Sequence, residues 1–439
     1  MGESGRAPLL EATSAAAAAS SAGARGRAGV GGGATAAQTL GNIVVSVVGT
    51  GVLGLPYAFR VAGWLAGSIG VALAGVSAFY CMLLLVQCRQ KLEEKEETNE
   101  FPHALNYGDL GAKAFGSIGR CVTELLILIA QTGGSIAYVV FIGQNLSSIF
   151  MAIKTEDHTI MPAVFIFVLF LPLEIALSFI RSLSSLAPFS AFADICNVLA
   201  MAIVITEDFQ RFDKSFAKRP AFNGPWGLPF AGGVAVFCFE GFSMTLALEA
   251  SMAEKRKFPL VLLQAFTGIM VAYICFGIFG YLAYGEETKD IITLNLLDNW
   301  SGIAVKVGLC IGLAFTFPIM AHPINEIIET KLRSRKWFQK LSHSAPFGEW
   351  LFFHGSRIIV LIMLCVLASF VPGFGNFVSF VGSTICALLS FVLPASFHLI
   401  FLGSEMRRWQ KILDYGIILV GMAFAVHGTY NAIAGNLSN

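Results

Sequence analysis

Charge is scarce in this 439-residue chain, where Asp, Glu, Lys and Arg make up 13% of the residues against roughly a quarter in an ordinary soluble domain. With 56% of residues apolar, too little polar material remains to skin a soluble core, which excludes a soluble multidomain enzyme. Neither sign of charge is in excess, 29 Lys and Arg against 28 Asp and Glu, so no basic field exists to hold nucleic acid. HExxH, GxSxG and P-loop motifs are all missing and the seven histidines are scattered, so no enzyme signature is found. The nine cysteines fall in or beside apolar runs without CxxC or Cys/His spacing. That argues against a metal site or a disulfide framework and reads as small buried hydrophobes.

What the chain does have is long oily segments. Runs of about 20 or more apolar residues, each able to cross a hydrocarbon core of about 30 Å as a helix, cover 36–59, 64–88, 118–151, 161–180, 184–206, 229–250, 259–284, 302–328, 351–371, 375–402 and 409–434. Residues 1–35, rich in Ala, Gly and Ser, read as a disordered N-terminal tail without the apolar stretch of a secretory signal. Comparing segment starts at a lag of five gives a nearly constant offset of about 190 residues, and an odd lag inverts the second set in the membrane. The expected fold is therefore an all-α integral membrane protein of about 11 transmembrane helices in an inverted repeat. Its transmembrane domain runs 36–434, as repeat one (36–206), repeat two (229–402) and an extra helix (409–434). Most Lys and Arg lie in the tail, in 89–120, 255–257, 331–340 and 407–411, which predicts a cytosolic N-terminus and a non-cytosolic C-terminus.

Local chemistry concentrates where the helical pattern weakens. Gly49-Thr50-Gly51-Val52-Leu53-Gly54-Leu55-Pro56 places three glycines and a proline inside the first span. A glycine-rich packing site or kink is one reading. The favoured one is an unwound helix whose freed backbone N–H groups can hold a carboxylate. At the matching point of the second half, Phe239-Glu240-Gly241 sets an acid beside a glycine. Glu240 is either a paired structural acid or, with nearby carbonyls and Ser243 and Thr245, a partner for an ammonium group. Glu124, Gln131, Tyr138 and Asn145 recur every seven residues on one helix face, with Ser135 between, and either bind neighbouring helices or line a solute path. His322 and Glu326 stand at i, i+4, suited to a proton relay or to a solvated helix end, and Asp194 is a further intramembrane acid.

Gly49 to Pro56 followed by Tyr57-Ala58-Phe59 and Gly63-Trp64, then Phe239-Glu240-Gly241, Phe317-Pro318 to Pro323, and Gly382-Ser383 to Pro394 resemble the amino acid/auxin permease family. The resemblance covers residues 36–434 and lies nearest the plant vacuolar neutral and aromatic amino-acid transporters. It implies a five-plus-five inverted fold with helices 1 and 6 broken, amino-acid cargo in a lipid bilayer and proton coupling, with no further cofactor. By position, Gly49, Thr50 and Gly51 would meet the substrate carboxylate, and Phe239, Glu240 and Gly241 the ammonium. Asn42 stands where proton-assisted relatives have His, and Val45 where sodium-coupled relatives have Asn. Neither ion motif is intact; Thr316 does match a hydroxyl of the sodium branch, but the missing Asn leaves sodium the less favoured ion. The proton candidates are Glu240, His322, Glu326 and Asp194. The expected protein is a secondary transporter that exports neutral amino acids, aromatic ones as candidates, from a vacuole into the cytosol. A membrane-embedded amino-acid sensor without sustained flux, or a carrier of auxin or another amino-acid-like solute, is the alternative. No protein partner is identified.

Overall fold

A computed structural model describes residues 33–96, 105–153, 161–178, 199, 201–206, 219–297, 299–333 and 346–437. These residues are almost entirely helical, with no named strand among them and one isolated bridge between Ala34 and Met252. The helices are α1 (Ala36–Val47), α2 (Leu55–Ala62), α3 (Trp64–Glu96), α4 (Tyr107–Ile153), α5 (Pro162–Ser178), α6 (Leu228–Cys238), α7 (Phe242–Ser251), α8 (Phe258–Tyr284), α9 (Trp300–Arg333), α10 (Pro346–Ser369), α11 (Phe374–Leu402) and α12 (Arg408–Leu437).

Among the described residues, 8 helical spans are long and apolar enough to cross a membrane, and α1 with α2, bent by 50° at their junction, brings the number to 9. α5 is a shorter apolar helix. Ten of the eleven expected segments thus have a helical counterpart, and the span at 184–206, Asp194 included, lies mostly outside the described residues, as does most of the expected tail. Large apolar side chains such as Leu73, Ile118, Leu419 and Val420 stand exposed. On a soluble protein they would be a liability; against lipid tails they cost nothing.

Local signals explain most helix ends. Thr35 caps α1 through a reciprocal capping box with Gln38, whose side chain accepts from Thr35 N–H at 2.9 Å. Pro56, Pro229 and Pro259 sit in the first turns of α2, α6 and α8, where a missing N–H costs no bond. Gly63, at φ 95, ends α2 in a conformation closed to most side chains, and the first N–H groups of α3 then donate to Pro220 and Ala221 carbonyls. α4 is longer than any membrane crossing because it is interrupted at Phe115 and Gly116, the latter at φ 70, so its first turns are a separate piece. α9 continues as one helix through Pro318 and Pro323.

The chain forms two compact units. One comprises 131–204 and 296–374, with the second half of α4 and all of α5, α9 and α10. Its interior includes Phe170 against Phe317 edge to face at 5.1 Å and an Arg357 to Glu329 ion pair of 2.8 Å joining α10 to α9. The other comprises 27–130, 205–295 and 375–439, with α1–α3, the first half of α4, α6–α8, α11 and α12. There the fully buried Phe59 ring lies against Gly67 of α3 and Gly277 of α8, and Ser379 of α11 donates to Phe230 O of α6 at 2.9 Å. Each unit draws helices from both halves of the sequence.

Candidate functional site: two broken helices

The second unit contains both interruptions. α1 ends at Val47, Val48 and Gly49 are extended, and Thr50–Gly54 form a tight 3-10 turn leading into α2. Gly49 supplies no side-chain cap, so the first N–H groups of this turn have no intrahelical acceptor. Thr50 to Gly54 are all buried, and Thr50 Oγ1 has no hydrogen-bond partner among the described residues. α6 ends at Cys238, and Phe239, Glu240 and Gly241 form the link to α7. Glu240 N–H donates to Phe237 O at 3.2 Å, while Glu240 Oε1 is buried without a partner.

The two breaks lie side by side. A Cβ built on Gly51 would stand 2.8 Å from Phe237 Cδ1 and 3.0 Å from Cys238 Sγ, so the absence of a side chain lets the turn touch the end of α6. From the other side, a Cβ on Gly241 would meet Val47 Cγ2 at 3.1 Å. The expected residues Gly49, Thr50, Gly51, Phe239, Glu240, Gly241 and the half-buried Ser243 therefore belong to one neighbourhood. Donor N–H groups at the start of the turn and terminal carbonyls of α1 and α6 give it opposite partial charges, with Glu240 adding a formal one. Thr245 is not free to serve a ligand, because its hydroxyl donates to Gly241 O at 3.2 Å.

Other expected residues lie elsewhere. Tyr138, half-buried on α4, and His322 on α9 belong to the other unit. His322 Nδ1 is buried without a partner, and the side chain of Glu326 lies outside the described residues, so their pairing is not established. Thr316 donates to Gly312 O and Leu313 O of its own helix, both at 3.1 Å. Glu124 is half-exposed and bound to Arg120 at 2.7 Å, which makes it part of a helix-start charge cluster with Asp109. Cys121 is exposed, unlike the buried Cys81, Cys88, Cys238, Cys310, Cys365 and Cys386, so not every cysteine is a core residue.

Three features escaped the sequence reading. Tyr273 of α8, 1% exposed, lies with its hydroxyl 3.2 Å from Cys238 O and 3.4 Å from Val47 O. Arg89, placed by its sequence neighbourhood among loop charges, is 1% exposed. It pairs with the equally buried Glu249 of α7 and donates to Leu246 O at 2.6 Å. Asp414 of α12 lies 2.6 Å from His398 Nδ1 of α11 and accepts from Tyr80 of α3 at 3.0 Å. The signal for the last was available: an acid and a histidine inside apolar spans require partners.

Comparison with known proteins agrees with this architecture. A family model described as transmembrane amino acid transporter protein matches residues 32–434. Amino acid transporter ANT1 of Arabidopsis thaliana is 55% identical over 92% of this chain and 94% of its own length. Vacuolar amino acid transporter 3 of Schizosaccharomyces pombe is 27% identical over 88% of this chain and 57% of its own. Among solved structures, MhsT in complex with L-phenylalanine superposes with a TM-score of 0.52 at 14% identity, covering 90% of this chain and 98% of that one. A substrate-bound Na+-coupled sialic acid symporter reaches 0.53 at 12%, covering 98% and 97%; at these identities both show the fold alone. The match across nearly the whole chain, together with two helices broken side by side, leads to one statement: the chain belongs to the transmembrane amino acid transporter family, whose members here are transporters and not enzymes.

Proposed function

We propose that the chain is a secondary active transporter of neutral amino acids, aromatic ones among its cargo, that works by alternating access and is driven by protons in preference to sodium. The observation that carries this reading is the partnerless Glu240 Oε1 at one break, beside the uncapped N–H end at the other. An amino acid is itself a carboxylate and an ammonium joined by one carbon. Its carboxylate would accept from the N–H groups at Gly49, Thr50 and Gly51, and its ammonium would donate to the Glu240 side of the link, with Gly241 leaving room and Ser243 in reach of the same pole. Phe239 would then deal with the side chain, and Tyr138 of α4 is kept as a candidate substrate residue.

For coupling, Glu240 is the first candidate, and His322, Glu326 and Asp194 remain secondary ones. The names of the plant and yeast relatives support amino-acid cargo and, for the yeast proteins, a vacuolar membrane. The Lys and Arg distribution supports a cytosolic N-terminus and luminal C-terminus, and an acidic lumen would drive export into the cytosol. Proteoliposomes given labelled L-phenylalanine, L-leucine and L-alanine test the whole reading. Uptake should follow an imposed pH gradient and ignore a sodium gradient. Flux that is indifferent to pH and follows sodium would overturn the coupling, and binding without net flux would overturn transport in favour of a sensor.

A further inference from the structure

α1 and α6 end at the same place, and both end there with carbonyls. The last carbonyls of a helix have no N–H four residues on and carry the negative pole of the helix, equivalent to about half a charge. Two such poles facing each other repel, and a hydrogen-bond donor or a cation between them relieves that repulsion. In broken-helix carriers the chemistry that suits such carbonyls is a bound alkali cation or a proton donor. Here the group lying between is the hydroxyl of Tyr273, 3.2 Å from Cys238 O and 3.4 Å from Val47 O, on a side chain 1% exposed. One O–H carries one proton, so the two carbonyls share it or take it in turn. The ring is held from the side by Phe239, 5.2 Å away between centroids, and Phe239 in turn stacks on Phe266 of the same α8. The donor is therefore positioned on a continuous helix next to the link that carries Glu240.

We infer that the Tyr273 hydroxyl is a built-in substitute for an alkali cation, holding the carbonyl ends of α1 and α6 together and so positioning both breaks for the substrate. The inference rests on the substrate site proposed above and adds a reason for the ion preference: a covalently attached donor leaves no demand for a cation at this point. Tyr273 acts through the backbone of its neighbours, as a positioning residue. Removing the hydroxyl leaves two carbonyls facing each other with an oxygen-sized space between them, which is a place for a cation.

The test uses purified full-length protein in detergent and in proteoliposomes, as wild type, Tyr273→Phe and, as a control for tyrosine loss at an exposed position, Tyr430→Phe. In choline chloride, binding of labelled L-phenylalanine should weaken about tenfold in Tyr273→Phe, with wild type and the control alike. Replacing choline by sodium should restore most of that loss and raise the thermal midpoint of Tyr273→Phe, while leaving wild type unmoved. A purely structural tyrosine would lower stability without creating any cation response, so a loss that sodium and potassium both fail to rescue overturns the inference. Wild-type affinity in Tyr273→Phe overturns it too. Thermal midpoints need no substrate, so a cation response confined to Tyr273→Phe upholds this inference even if the site or the coupling is misassigned, whereas a sodium requirement of wild-type flux with no such response sinks both.

Discussion

The break between α1 and α2 and the break between α6 and α7 interrupt helices at matching points of the two halves, yet they offer different chemistry. The first is nearly all backbone: three glycines, a 3-10 turn and a 50° bend, with no ionisable side chain and every residue from Thr50 to Gly54 buried. The second is shorter and carries an acid between an aromatic ring and a glycine. A repeat duplicated with identical chemistry would present a symmetric pocket, which suits a symmetric ligand. Divergence into a donor-rich pole and an acidic pole suits a ligand with a charge of each sign. The same contrast recurs on one helix. Glu249, at the far end of α7, is held by Arg89, whereas Glu240, just before its start, has an oxygen with no partner.

Breaking the satisfied acid should have the largest effect. Arg89→Ala leaves Glu249 buried and unpaired, and should cost about 3–5 kcal/mol, seen as a collapse of the thermal midpoint in detergent. Next comes the unsatisfied one. Glu240→Gln keeps shape and size, so the midpoint should hold while gradient-driven flux drops by about a hundredfold, the equivalent of roughly 3 kcal/mol for a lost charged partner; retained flux would remove Glu240 from the site. Gly51→Val sharpens the role of the first break, because its side chain would press on Phe237 and Cys238. Overpacking of this kind costs about 1–3 kcal/mol, and flux in vesicles should fall at least tenfold. The smallest change is Thr50→Val, which removes a hydroxyl that has no partner among the described residues. Stability should be unchanged or slightly higher, with apparent affinity about fivefold weaker if that hydroxyl meets the substrate; equal affinity would assign the carboxylate to backbone groups alone.

How much could be read in advance differs residue by residue. The interruption at Gly49 to Pro56 was legible because glycine and proline weaken helices through local terms that need no neighbour. Glu240 was legible because an acid in an apolar run is costly wherever the run goes. Glu124 was misplaced: its seven-residue stripe was real, but the side chain sits near the helix start, where Arg120 is one turn away. Arg89 was assigned to a loop because it follows the apolar segment directly, yet α3 continues to Glu96 and carries it inside. Tyr273 gave no signal at all, since a tyrosine in an oily helix is ordinary until its hydroxyl finds something to bind.

The sequence by itself determined the approximate ends of most spans, the two weak points and the scarcity of charge, because hydropathy, length and backbone propensity act within a few turns of chain; the family came from a resemblance of motifs. Only the tertiary structure decided that Gly51 touches Cys238, that Arg89 meets Glu249, that Asp414 collects His398 and Tyr80, and that one hydroxyl of α8 lies between the ends of α1 and α6. Those partners come from different helices, up to 334 residues apart for Tyr80 and Asp414. Such contacts depend on how helices pack against one another, and in a bilayer the requirement that buried polar groups find partners selects among packings that hydropathy alone leaves equivalent.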